Sequence, residues 1–353
     1  MMTQNRLIPE IKRRIAMVKK SASTSAPMAR TILLATLTCL IVPASVAAQV
    51  PKAKVGTLSA PSTSSWMVAV MEGKQFDIKN GVDVEWVEQP STASLYNDFA
   101  AGSYPMATGG IMTYANQYAR GVKAKLFATY QLFGTSVIVN TERGPDIRSL
   151  KDLNGKELAA PLASENYKAM TIYMLWSGVD LKSLKTRNFE QPGVAAELRS
   201  PTGTAPAGVV FAQLPTRLVM DDPKKFKDLV SADELEKLWR QKTGTEYNWL
   251  LGWAVQDDFA RNNPDLLQRV HNAMKETVEW FNANTDEALK LVAKKTKDPI
   301  PILQETVKAG RVKFLQMTAE SQEKAIMELL KISVPLGYVT KLPDAAFFHR
   351  GLR

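Results

Sequence analysis

Cysteine and histidine are almost missing from this chain of 353 residues: it has one cysteine, Cys39, and two histidines, His271 and His349. Cys39 lies inside an N-terminal apolar run, and beyond it no thiol remains for a disulfide, a thiolate metal site or a cysteine nucleophile. His271 falls in a helical pattern and His349 in the C-terminal tail, so neither is placed as a general acid or base beside a nucleophile. No H-E-x-x-H, G-x-S-x-G, Walker A or G-x-G-x-x-G pattern occurs. The glycine pair Gly203 and Gly208 sits among Pro201 and Pro206, which suits a loop and not a phosphate-cradling turn. No catalytic residue, cofactor or metal site is assigned on this inventory.

Charge of one sign is also scarce. The formal +10 is concentrated at the N-terminus, where residues 1–48 carry seven of the 45 basic and one of the 35 acidic side chains, leaving a remainder of only about +4. So weak and even a balance argues against a nucleic-acid partner. Long hydrophobic runs are absent too. The run from Ile32 to Val46 is interrupted by Pro43 and is shorter than the roughly 20 apolar residues of a membrane span. Preceded by Arg6, Lys12, Arg13, Arg14, Lys19, Lys20 and Arg30 and ended by Val46-Ala47-Ala48, it reads as a signal peptide over residues 1–48. Export to the periplasm follows from that reading.

What remains is rich in alternating strand and helix patterns. Lys54–Leu58, Val82–Val87, Met106–Gly110 and Lys125–Tyr130 read as strands, each but the last leading through a turn into a helix. Ser136–Val139, Glu157–Ala160, Ala207–Ala212 and Asn248–Val255 continue the strand series. Beyond Asp257 the pattern is almost wholly helical, over Pro264–Phe281, Thr285–Lys294 and Ala319–Leu330. Strands alternating with helices at this spacing predict mostly parallel sheets covered on both faces.

Several turns combine hydroxyl or amide side chains with a helix start: Ser62 to Ser65, Ser91 to Ser94, Thr108 to Gly110 and Ser164 to Asn166. In open α/β sheets such turns gather in one crevice at the carboxyl ends of the strands. Helix N-termini there offer free N–H groups and positive dipole ends, which favours an anionic or strongly hydrogen-bonding ligand. Each serine taken alone is better read as a helix cap; only the recurrence points to a site. The candidate contacts are Ser62, Ser64, Ser65, Ser94, Gly109, Gly110, Ser164, Asn166 and Gln213, with Trp66 and Phe133 as apolar walls.

The run Gly134-Thr135-Ser136-Val137-Ile138-Val139-Asn140, the segment Ile147 to Lys156, and Leu250 to Ala260 together resemble solute-binding proteins of ABC importers. The group resembled includes aliphatic-sulfonate, taurine, nitrate and thiamine-precursor binding proteins. That resemblance implies a type II-like two-lobed α/β fold, each lobe a mostly parallel sheet flanked by helices, with a hinge of two crossing strands. It implies a first lobe from residues 49–135 and 255–353 and a second from 136–254, with crossings near Phe133–Ser136 and Gly252–Val255. It also implies a monomer that hands a small sulfonate, carboxylate or nitrate-like solute to an inner-membrane permease and ATPase. The chain departs from the group's pattern at Pro105 and Gln213, where acidic residues are usual. Two other functions fit the same fold: a pyrimidine or thiamine-precursor biosynthetic enzyme, which needs a reactive histidine in the pocket, and a periplasmic sensory subunit.

Overall fold

The computed structural model describes residues 50–353; the basic leader and apolar run read as a signal peptide lie outside them. The first sheet grows from β1 (Lys52–Leu58), β2 (Asp83–Gln89), β3 (Met106–Gly110) and β4 (Ala124–Leu132), linked by α1 (Ser64–Lys74), α2 (Phe76–Lys79), α3 (Thr92–Ala100) and α4 (Ile111–Ala119). The chain then crosses to a second sheet of β5 (Ser136–Asn140), β6 (Glu157–Ala160), β7 (Lys185–Asn188), β8 (Ala207–Val210) and β9 (Phe226–Asp228). Around it lie α5 (Glu165–Trp176), α6 (Gln191–Arg199), α7 (Leu214–Asp221) and α8 (Ala232–Thr243). The chain returns as β10 (Trp249–Gln256), followed by α9 (Asp257–Asn262), α10 (Pro264–Ala283), α11 (Thr285–Thr296), α12 (Ile300–Lys308), β11 (Phe314–Thr318) and α13 (Glu323–Ser333).

The strand orders are β11-β4-β10-β3-β1-β2 and β7-β6-β8-β5-β9. Both sheets are mixed, with four strands of each sharing one direction. β1 is parallel to β2 and β3, but β10 is antiparallel to β3 and β4, and β11 to β4. In the second sheet β6 is parallel to β7 and β8, while β5 is antiparallel to β8 and β9. The reversals have a topological cause. β4 leaves its lobe at the crossing, so the strands sharing its direction end facing the other lobe. β5 and β10 each enter a lobe from that crossing and must run the opposite way.

The first crossing is 133–135 and the second 244–248, with the Phe133 N–H donating to the Asn248 carbonyl at 2.9 Å. Gly252–Val255 lie inside β10 of the first sheet, so the second crossing falls a few residues earlier than the sequence placed it. Gly134 is packed so tightly that a Cβ would sit 2.4 Å from the backbone oxygen of Arg311; no other residue fits that crossing.

Burial explains why these segments form strands. β3 is buried at every position and β4 at all but one, which is what sheets covered on both faces require. Under β4 lies an aromatic core in which Trp66 faces Phe281 and Phe314, and Tyr130 packs on Trp253 at 4.9 Å. Each such ring contributes about 1.5–3 kcal/mol by leaving water. The C-terminal region is less purely helical than expected, since β11 closes the edge of the first sheet beside β4.

Candidate functional site

Because the co-oriented strands of both sheets end toward each other, the loops after β1, β2, β3, β6 and β8 meet between the lobes. They enclose an inner cavity of about 40 Å³ that opens into a mouth of about 350 Å³, the two sharing Leu58, Ser62, Thr92, Ser164 and Phe211. The inner wall adds Thr63, Ser64, Tyr96, Thr108 and Gly109 from the first lobe and Glu165 and Asn166 from the second. The mouth is rimmed by Ser59, Pro61, Pro90 and Ser91 on one side and Pro161, Glu190, Gln191 and Pro192 on the other.

Helix starts converge on this space. The first N–H groups of a helix have no intrahelical acceptor, and Ser64 opens α1, Thr92 opens α3 and Glu165 opens α5, all at the inner wall. The wall around Ser64 is ordered by a hydroxyl network: Ser64 Oγ lies 2.8 Å from Tyr130 OH, Thr57 Oγ1 3.2 Å from Thr108 Oγ1, and Thr63 Oγ1 donates to Gln131 Oε1 at 2.5 Å. Tyr130 is buried, which pushes its hydroxyl far above the ordinary range and keeps it a neutral donor. Among the described residues, no lysine, arginine or histidine lines the inner cavity. An anion here would meet backbone dipoles and hydroxyls, with no cationic side chain.

Among the described residues, the one carboxylate on the inner wall is Glu165. It stands on the second lobe, yet its oxygens accept from Met112 N–H at 2.5 Å and Thr113 Oγ1 at 2.9 Å at the start of α4 in the first lobe. Burial raises its pKa, while Lys168 and the bonds from Met112 and Thr113 act the other way.

Of the residues expected at the site, Ser62, Ser64, Gly109, Ser164 and Asn166 line the inner cavity. Asn166 also accepts from Thr135 Oγ1 at 2.7 Å, and Ser164 caps α5 by accepting from Tyr167 N–H at 3.2 Å. The others lie elsewhere. Ser65 is fully buried and donates to the Ser62 carbonyl at 2.6 Å; Ser94 donates to the Ser91 carbonyl at 2.9 Å within its own cap. Gly110 faces Glu165, and its N–H donates to Tyr96 OH at 2.6 Å. Gln213 donates to Asp298 at 2.7 Å, across to the loop between α11 and α12.

Both expected walls are core. Trp66 follows the polar turn in sequence, but α1 turns it into the aromatic cluster, with no exposure. Phe133 stacks on Tyr173 at 4.8 Å in the crossing. Leu58, Phe211 and Leu251 supply the apolar wall instead. Neither histidine reaches the cleft: His271 is buried on α10 with Nδ1 3.3 Å from Gln316 Nε2, and the His349 N–H pairs with the Leu126 carbonyl.

Two mixed α/β lobes closing on a polar cleft define the two-lobed fold of periplasmic binding proteins. The chain belongs to the NMT1/THI5-like family, whose profile matches residues 67–288. It is 23% identical over 215 residues to the taurine-binding periplasmic protein of Escherichia coli (strain K12), a match covering 61% of this chain and 62% of that protein. Among solved structures it is similar to the aliphatic sulphonate binding protein of Escherichia coli, with a TM-score of 0.68 at 14% identity over 85% of this chain and 92% of that one. The nitrate-binding protein of Synechocystis PCC 6803 gives 0.65 at 15% identity, over 84% of this chain and 83% of that one. At those identities the likeness shows the fold.

Proposed function

We propose that this protein is the solute-binding component of an ABC importer, working without catalysis as a periplasmic monomer that delivers its solute to a membrane permease and ATPase. The observation that carries the reading is the convergence of the α1, α3 and α5 starts on one small hydroxyl-lined cleft between two lobes. Relatives described as binding taurine, aliphatic sulphonates and nitrate support a small oxyanion-bearing solute. Its anionic end would sit against the N–H groups that open α3 and α5, with Ser62, Ser64, Thr92, Gly109, Ser164 and Asn166 as hydrogen-bonding contacts. The α4 start is already occupied by Glu165. Binding would draw the lobes together by favouring the closed member of an open/closed pair.

The placement of both histidines away from the cleft weighs against the biosynthetic enzyme that consumes its own histidine. Isothermal titration against alkanesulfonates, taurine, nitrate and short carboxylates tests the proposal. Saturable one-to-one binding of one of these supports it; no binding of any, with a folded protein, contradicts it.

A further inference from the structure

One glycine beside the cleft, where the lobes meet, is not explained by the lobe that carries it. Gly110 ends β3 with φ −72° and ψ 131°, a backbone conformation open to any residue. The three heavy atoms nearest to a Cβ at this position all belong to Glu165 of the other lobe, with Cδ and Oε2 at 2.3 Å and Cγ at 2.6 Å. The obstacle to a side chain is thus across the cleft. Glu165 is only 4% exposed and cannot simply lean away, because its two oxygens are fixed by Met112 N–H and Thr113 Oγ1. Moving it while the lobes stay together would leave a buried carboxylate without these bonds, which is costly. Lys168, one turn along α5, adds a second bridge by donating to Thr113 Oγ1 at 3.2 Å.

We propose that Glu165 seated on Gly110 is a ligand-independent closing contact between the lobes, and that position 110 is glycine because the closed form requires it. The carboxylate plays at the α4 start the part that an anionic ligand plays at a free helix N-terminus, so the empty protein samples the closed form through a group of its own. An alanine at 110 removes that form without straining the open one. Deleting the Glu165 side chain makes room for the new methyl but takes away the contact itself, so the two substitutions do not add.

This inference rests on the hinged-lobe reading, and the test separates the two. Spin labels at Ala93→Cys and Glu190→Cys, both exposed and on opposite sides of the mouth, are introduced into the full chain in a Cys39→Ser background. Pulsed electron paramagnetic resonance then gives the interlobe distance distribution of the empty protein. The wild-type background should show a short-distance population beside a longer one. Gly110→Ala should deplete the short one by about tenfold or more, the scale of inserting a methyl into an occupied space. Glu165→Ala, which deletes the contact from the other side, should deplete it as well, and the double variant should lose no more than either single variant because both substitutions act on one interaction. A short-distance population unchanged by Gly110→Ala or by Glu165→Ala, or losses that add in the double variant, overturns the contact. A single distance in every variant, wild type included, overturns the hinge itself. If Gly110→Ala does not fold, rescue of folding by Glu165→Ala still supports the contact and failure of rescue refutes it.

Discussion

Arg311, in the segment between α12 and β11, donates to the carboxylate of Asp228 at the end of β9 at 2.9 Å and so ties the first lobe to the second beside the crossing strands. The same guanidinium donates to Thr216 Oγ1 at 2.9 Å and Ser136 Oγ at 3.2 Å, and its side chain is only 10% exposed. Removing one partner of such a pair leaves the other charge buried and uncompensated. Arg311→Met should therefore cost about 2–4 kcal/mol in urea unfolding at neutral pH, and Asp228→Asn added to it should recover part of that loss. Equal stability of the single variant and the parent would remove the pair from the account of how the lobes are joined.

His271 predicts a pH dependence. Burial holds its imidazole down from the ordinary 6.5 to about 4, with Lys275 acting in the same sense. The folded state thus binds this proton less readily than the unfolded chain, so its contribution to stability is whole above pH 6.5 and is lost as the pH falls toward 4. The loss approaches about 3 kcal/mol at the acid end of that window. In His271→Gln the unfolding free energy should fall less steeply between pH 7 and pH 4 than in the parent. Parallel curves would mean that the ring titrates normally.

Thr92 opens α3 at the wall shared by the inner cavity and its mouth, and its hydroxyl makes no hydrogen bond within the protein among the described residues. Thr92→Val keeps the shape and deletes only that hydroxyl. Affinity for the bound solute should drop by about three- to tenfold, the worth of one hydrogen bond, while the melting temperature stays the same. A matched fall in stability with unchanged affinity would assign the hydroxyl to the fold.

Much of this architecture is legible in the residues. The strands Met106–Gly110 and Glu157–Ala160 are bounded by turn residues and wholly or largely apolar, and both appear with those limits. The elements that escape are short or polar. β7 is Lys-Thr-Arg-Asn at a sheet edge and β9 has three residues, so neither has room for a repeating pattern. Strand direction is not written locally either, since β5 and β10 are reversed only because they enter from the other lobe.

At the cleft, hydroxyls that cap a helix and hydroxyls that face a cavity share one sequence signature. Ser94 lies in the first turn of α3 and Ser164 caps α5, and only the second lines the inner space. Trp66 misleads because α1 is buried at every position from Ser64 to Met71, so no face of it is marked as core. Glu165 reads as an ordinary acidic first-turn residue stabilising its own helix. That its carboxylate serves α4 instead depends on how the lobes meet, a relationship between positions 53 residues apart.

The most direct test of the central claim is native mass spectrometry of the protein, expressed from the full chain and purified without denaturation, followed by release and identification of whatever it carries. The account predicts one small organic or inorganic oxyanion per protein molecule, displaced by a Thr92→Val and Asn166→Ala double substitution. A protein that carries no such solute, and whose melting temperature none of the sulfonates, nitrate or carboxylates raises, would contradict it.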